Sequence, residues 1–242
     1  MRSVYIHIPF CSSICSYCDF CKFLHDEIWA DEYLSHLEKE INKYYDNDEV
    51  RTIYIGGGTP SVLSMENLKK LFSIIKVFDV SKLEEFTFEM NVNDITEEKL
   101  SFLKENGVNR ISVGVESFNK INLKYLNRKH TKQEIINNIK LVKKYFENIN
   151  VDLMYALSIE KFSVLKSDVK EILKLGVPHI SAYSLILEPN TALFVNKVKP
   201  ISEDLDYKMY KYIEKKFTKK GYHHYEVSNY SIPGYESVHN LN

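Results

Sequence analysis

Six times along this 242-residue chain, a short β-branched or aromatic run is followed by a longer amphipathic one. Strand–helix alternation of this kind implies parallel strands, because each helix carries the chain back across the sheet before the next strand begins. The runs are SVYIHI (3–8), TIYI (52–55), EFTFEM (85–90), RISVGV (110–115), INVDLMYAL (149–157) and HISAYSLI (179–186). They read as nearly continuous apolar segments, the pattern of strands buried on both faces. The first helix is read from IWADEYLSHLEKEINKYY, which places Leu34, Leu37, Ile41 and Tyr44 on one face. Ser64, Thr96, Thr131 with Glu134, and Ser202 mark helix starts, since each hydroxyl can accept a free backbone N–H of a first turn. Gly107, Gly176 and Gly221 suit helix stops. YHHYEVS (222–228) is read as a seventh strand. The expected fold is α/β, a partial (β/α)6 barrel of the TIM type, because six units fall short of the eight that close a barrel. No linker, low-complexity tract or change of composition interrupts the chain, so residues 1–242 are read as one domain.

Charge excludes some partners. Lys plus Arg, 32, nearly balances Asp plus Glu, 33, which gives no footprint for a nucleic acid or an anionic membrane surface. The apolar run in MRSVYIHIPF is too short for a secretory signal or a spanning segment, so a cytoplasmic location is expected. In that compartment clustered cysteines point to metal or redox chemistry more than to disulfides.

All four cysteines, Cys11, Cys15, Cys18 and Cys21, fall within CSSICSYCDFC, directly after the first strand. That is where an α/β barrel carries its reactive loops. Four free thiols would be the plain reading. A tetrahedral zinc site is a rival, although such sites usually take two separated C-x2-C pairs. Iron–sulfur clusters are also held by close-spaced thiolates, and the residue types alone leave both metals open. Elsewhere, IGGGTPS (55–61) offers a glycine-rich turn whose backbone N–H groups can approach a ligand. Glu89 ends the third strand, where a carboxylate suits an ammonium group. Asp152 interrupts an apolar strand and requires a partner: a ligand, backbone N–H groups or Arg128.

YIHIPFCSSICSYCDF resembles the opening of radical S-adenosylmethionine (SAM) enzymes. More narrowly, it resembles the family of oxygen-independent coproporphyrinogen III oxidases and haem chaperones. The resemblance implies that Cys11, Cys15 and Cys18 hold three irons of a [4Fe–4S] cluster, whose fourth iron takes the amino and carboxylate groups of SAM. Cys21 is then surplus. Tyr17 is the family's aromatic residue before the third cysteine, and Tyr5 matches a SAM contact. GGGTP implies that Gly57, Gly58 and Thr59 meet the methionine end of SAM. Glu89 matches E-x-N-P, with Val92 in place of the proline. RISVGVESF matches R-I-S-x-G-V-Q-S-F, except that Glu116 stands where the family has glutamine, which puts one polar contact in doubt. Arg128, Asp152 and Ala182 match further SAM contacts, Ala182 beside the adenosine.

The closing YEVSNYSIPGYESVHNLN resembles the chaperone branch and makes His239 a candidate haem ligand. In the family the reduced cluster cleaves SAM, and the oxidase branch converts porphyrinogen propionates to vinyl groups. The expected partners are a porphyrin or haem and an electron donor. The resemblance runs from Tyr5 to Asn242, and the family's C-terminal domain is expected to be missing here.

Overall fold

The computed structural model of the chain describes residues 2–241. Its strands are β1 (Arg2–Ile8), β2 (Phe10–Cys11), β3 (Phe23–Leu24), β4 (Val50–Gly57), β5 (Glu85–Asn91), β6 (Arg110–Glu116), β7 (Asn148–Tyr155), β8 (His179–Ser184), β9 (His223–His224) and β10 (Asn229–Ser231). Its helices are α1 (Glu27–Tyr44), α2 (Met65–Ile74), α3 (Glu97–Glu105), α4 (Lys120–Tyr125), α5 (Lys132–Val142), α6 (Phe162–Leu175), α7 (Ala192–Val195) and α8 (Glu203–Thr218). β1, β4, β5, β6, β7 and β8 lie side by side in chain order and all parallel. This is the partial barrel expected from the alternation, left open between β1 and the far edge.

Two expectations change. The seventh strand is not a single run over 222–228. Only His223–His224 is extended there, and the pairing partner of β8 is the later β10, which runs antiparallel. Nor are the strands apolar on both faces. Ile53, Phe88, Val113, Val151 and Ile180 point outward into one core with the helices. The alternate residues carry a polar inner column: Tyr54 with Glu89, Arg110 with Thr87, and Asn150 with Ser112 and Asp152. Side chains alternate across a strand, so a strand can be apolar toward its helices and polar toward its partners inside the curve.

The helix starts follow the capping chemistry. Ser64, Thr96, Thr131 and Ser202 each accept a first-turn N–H, and Thr131 with Glu134 completes a reciprocal box. Asp26, which the sequence reading passed over, caps α1. Gly176 ends α6 in the left-handed conformation. Among the described residues, no helix is long and apolar enough to cross a membrane.

The N-terminal end of the column is closed by the tail. Glu85 accepts hydrogen bonds from Ser237 Oγ (3.0 Å) and from the backbone N–H groups of Val238 (2.8 Å) and His239 (3.4 Å). Arg110 lies 4.0 Å from the same carboxylate, and both side chains are 2% exposed. His179 sits beside them between Asn150 (2.6 Å) and Tyr225 (2.7 Å). Burial, with Arg110 adding to it, lowers its pKa to about 2, so the ring is neutral at physiological pH.

Candidate functional site

The cysteine loop leaves β1 at the C-terminal end of the sheet and is stitched down at both ends. At its base, β2 pairs in parallel with β3, setting Phe10 opposite Phe23 and Cys11 opposite Leu24. The glycine-rich turn supports the end of β1 and the start of β2, with Gly58 N donating to Ile8 O (2.9 Å) and Thr59 N to Phe10 O (2.7 Å). Thr59 Oγ1 donates to Cys11 Sγ at 3.5 Å. The middle of the loop is held by two short helices that the sequence reading missed. Ser16 Oγ donates to Tyr125 O in α4 (2.7 Å), and Ser16 O accepts from Leu193 N in α7 (3.0 Å). Both helices are too short to show a clear apolar period.

Beneath the loop lies a cavity of about 430 Å³. Cys11, Cys15 and Cys18 line it, together with Tyr17, Gly57, Gly58, Thr59, Glu89, Glu116, Arg128 and Asp152. Cys21 does not; it is exposed on the other side of the loop. Burial raises the pKa of the three cavity thiols, while Arg128 pulls the other way on each.

The turn at the cavity floor needs glycine. Gly57 has φ +105°, and its N–H donates to Glu89 Oε2 (3.1 Å). A Cβ on Gly56 would stand 2.7 Å from the Glu89 carboxyl. Tyr54 OH donates to the other Glu89 oxygen at 2.6 Å. Burial raises the Glu89 pKa, and it raises that of Asp152, with Glu116 and Glu89 adding to the latter effect.

Glu116 is the departure from the family pattern, and the structure supplies its partner. Its carboxylate closes on Arg128 Nη2 in a buried ion pair. Arg128 Nη1 donates to Asn91 Oδ1 (2.6 Å) and Nη2 to Tyr17 OH (3.0 Å). Burial works against this guanidinium, but Tyr17 and Glu116 outweigh it and hold its pKa well above the ordinary value. Glu116 has φ +63°, in the left-handed region, at a register slip between β6 and β7. Strain of this kind in a non-glycine residue persists where surrounding contacts enforce it, and it concentrates at functional sites.

Three sequence candidates lie elsewhere. Tyr5 stands on the exposed edge strand, its ring 5.9 Å from that of Tyr54 and its hydroxyl on His7 Nδ1 (3.2 Å). The Ala182 side chain turns outward into the helix-facing core, and it is Tyr183 to Ile186 that line the cavity. His239 lies at the opposite end of the column, its Nδ1 2.8 Å from Thr52 Oγ1 and its ring against Tyr54. Asn91, Ser112 and Gly114 line the cavity without having been singled out. Their spacing with Glu89 and Glu116 along β5 and β6, every second residue, was the available signal.

A parallel half-barrel with a three-cysteine loop at the C-terminal end of its first strand is the arrangement of the radical SAM superfamily. The family model for that superfamily matches residues 5–176, and the chain belongs to it. Within it, the chain is 46% identical over 247 residues to the heme chaperone HemW of Lactococcus lactis subsp. lactis and 40% identical to that of Bacillus subtilis. The matches cover 99% and 100% of this chain but 65% and 66% of those relatives, so the chain spans just under two thirds of their length. The coproporphyrinogen III oxidase HemN of Escherichia coli superposes with a TM-score of 0.87 at 25% identity, covering 96% of this chain and 56% of that one.

Superfamily members bind a [4Fe–4S] cluster and SAM, and the cavity fits both groups. Three thiols from one loop face it. Five acidic side chains, Asp19, Glu89, Glu116, Asp152 and Glu188, line it against the two cations Lys22 and Arg128, an acidic balance that suits a ligand carrying positive charge. Among the described residues, no three Cys, His, Asp or Glu side chains converge closely enough for one metal ion.

Proposed function

We propose that this chain is a SAM-binding iron–sulfur protein that handles haem, and that it does not decarboxylate a porphyrinogen. One observation carries the cofactor reading: three of the four cysteines, and not the fourth, share a cavity with the glycine turn and the acidic strand ends. Cys11, Cys15 and Cys18 would hold the cluster, leaving one iron for SAM. When bound, the two groups supply one-electron chemistry that no protein side chain offers. The protein's own part is positional. Gly57 and Gly58 let the backbone approach the methionine end, and Thr59 fixes Cys11. Glu89 and Asp152 would lie on the side of the cavity that takes the positively charged part of SAM, and Tyr17 and Arg128 brace the loop. Tyr183 to Ile186 present the end of β8 to the adenosine.

The haem assignment is supported by the HemW relatives, described as heme chaperones and 40–46% identical, against 25% for HemN. An electron donor is then required only if SAM is cleaved.

Anaerobic reconstitution with iron and sulfide, followed by parallel incubations with SAM, haem and coproporphyrinogen III, tests the proposal. Cluster assembly, haem binding and unchanged coproporphyrinogen III are expected. Stoichiometric zinc in place of iron would overturn the cofactor reading. Release of carbon dioxide from coproporphyrinogen III would move the chain to the oxidase branch.

A further inference from the structure

Cys21 is the thiol left over from the cluster cavity, yet it has a cavity of its own. A second pocket of about 530 Å³ opens on the other face of the cysteine loop. Phe10, Phe23, Trp29 and Tyr33 wall it, and Cys21, His7 and His36 stand among them. Its volume falls within the range of small-molecule sites, about 300–1,000 Å³.

The walls are fixed from several directions. Phe10 and Tyr33 meet edge to face at 5.7 Å, and Tyr33 OH donates to His7 O at 2.5 Å. His7 Nε2 lies 2.8 Å from the Cys21 carbonyl, and Nδ1 lies near Tyr5 OH, so both ring nitrogens are engaged and the imidazole braces the Cys21 backbone. On α1, Trp29, Tyr33 and His36 fall at helical spacing and share the face turned to the loop. Phe23 and Trp29 stay more than half exposed, at 52% and 59%. An aromatic surface left open in this way marks a binding site more often than a stray exposed residue does.

We propose that this pocket docks haem, with the Cys21 thiolate as the axial ligand of the iron. The proposal rests on the haem-handling function above and names its site. Three features fit that occupant. Flat aromatic walls suit a macrocycle, a thiolate is an established axial ligand, and the open mouth leaves the propionates in water. The larger groove of about 980 Å³ between α5, α6 and α8 is ringed by lysines and carries Tyr212, Tyr222 and Tyr235, but it has neither thiol nor imidazole on its walls, so phenols are the axial ligands it offers the iron.

Ferric haem titrated into the anaerobically reconstituted protein tests this by difference absorption and EPR, to which the oxidised cluster contributes no signal. Wild type should take one haem with a thiolate signature. Cys21→Ser should lose that signature and weaken binding by at least the roughly tenfold that losing a supporting contact costs at a metal site. Trp29→Ser should weaken binding and keep the signature. Iron and sulfide content should stay unchanged in both, which shows that the loop still folds. If wild type binds haem and both variants match it, the pocket is not the site and the proposal falls, while the haem-handling reading stands. If wild type binds no haem, that reading falls and takes this one with it.

Discussion

The carboxylate of Glu116 and the guanidinium of Arg128 form a buried ion pair beside the cysteine loop, with side chains 6% and 12% exposed. Each is costly without the other. Arg128→Met should destabilise the fold by about 3–5 kcal/mol, because it strands a buried carboxylate. Adding Glu116→Gln should recover most of that loss. Urea unfolding of the two singles and the double measures the coupling, and additive effects would show that the pair contributes nothing jointly.

The cluster assignment separates four cysteines by side of the loop. Cys11→Ser, Cys15→Ser and Cys18→Ser should each yield protein with little bound iron after reconstitution, and Cys21→Ser should retain the wild-type content. Iron and sulfide analysis decides it. Loss of iron in the Cys21 variant would contradict the assignment.

Glu160 lies behind the site, 6% exposed, with Oε1 accepting from Asn122 Nδ2 (3.2 Å) and Oε2 unpartnered. Burial, reinforced by nearby Asp168, raises its pKa to about 8. A carboxyl group raised in this way favours the folded state in its protonated form. Its contribution is complete below the unfolded value near 4.5 and is lost as pH climbs toward 8. Glu160→Gln should therefore be nearly neutral at pH 4.5 and stabilising by on the order of 5 kcal/mol at pH 8.5. Thermal unfolding across that window is the check, and a pH-independent difference would refute it.

His239 anchors the tail through Thr52. His239→Ala should lower stability by about 1 kcal/mol, the size of one hydrogen bond, and leave haem affinity unchanged. A fall in haem affinity with unaltered stability would make His239 an iron ligand instead.

Much of this was legible in the residues. Capping hydroxyls at Ser64, Thr96, Thr131 and Ser202 located helix starts because the cap is a local interaction, written within four residues. Cys11, Cys15 and Cys18 and the glycine turn were found through spacing, and the fold brings them into one cavity. The polar column was not read, because Thr52, Glu85, Ser112 and Asn150 look like isolated interruptions until the strands align them. The Ala182 side chain faces the helices, while Tyr183 to Ile186, the residues after it, line the cavity. The aromatic pocket at Cys21 joins residues from β1, the loop and α1, which no single window of sequence contains.

The tail contacts at Glu85 and Thr52 have a mechanical meaning. The segment leaves the last strand, crosses under the open sheet and is tied to its second and third parallel strands. The tail thus spans, at one rim of the open sheet, the gap between its far edge and the strands next to β1. The cysteine loop and Asp152 stand at the other rim, so the sheet is tied across its opening at the end away from the cavity.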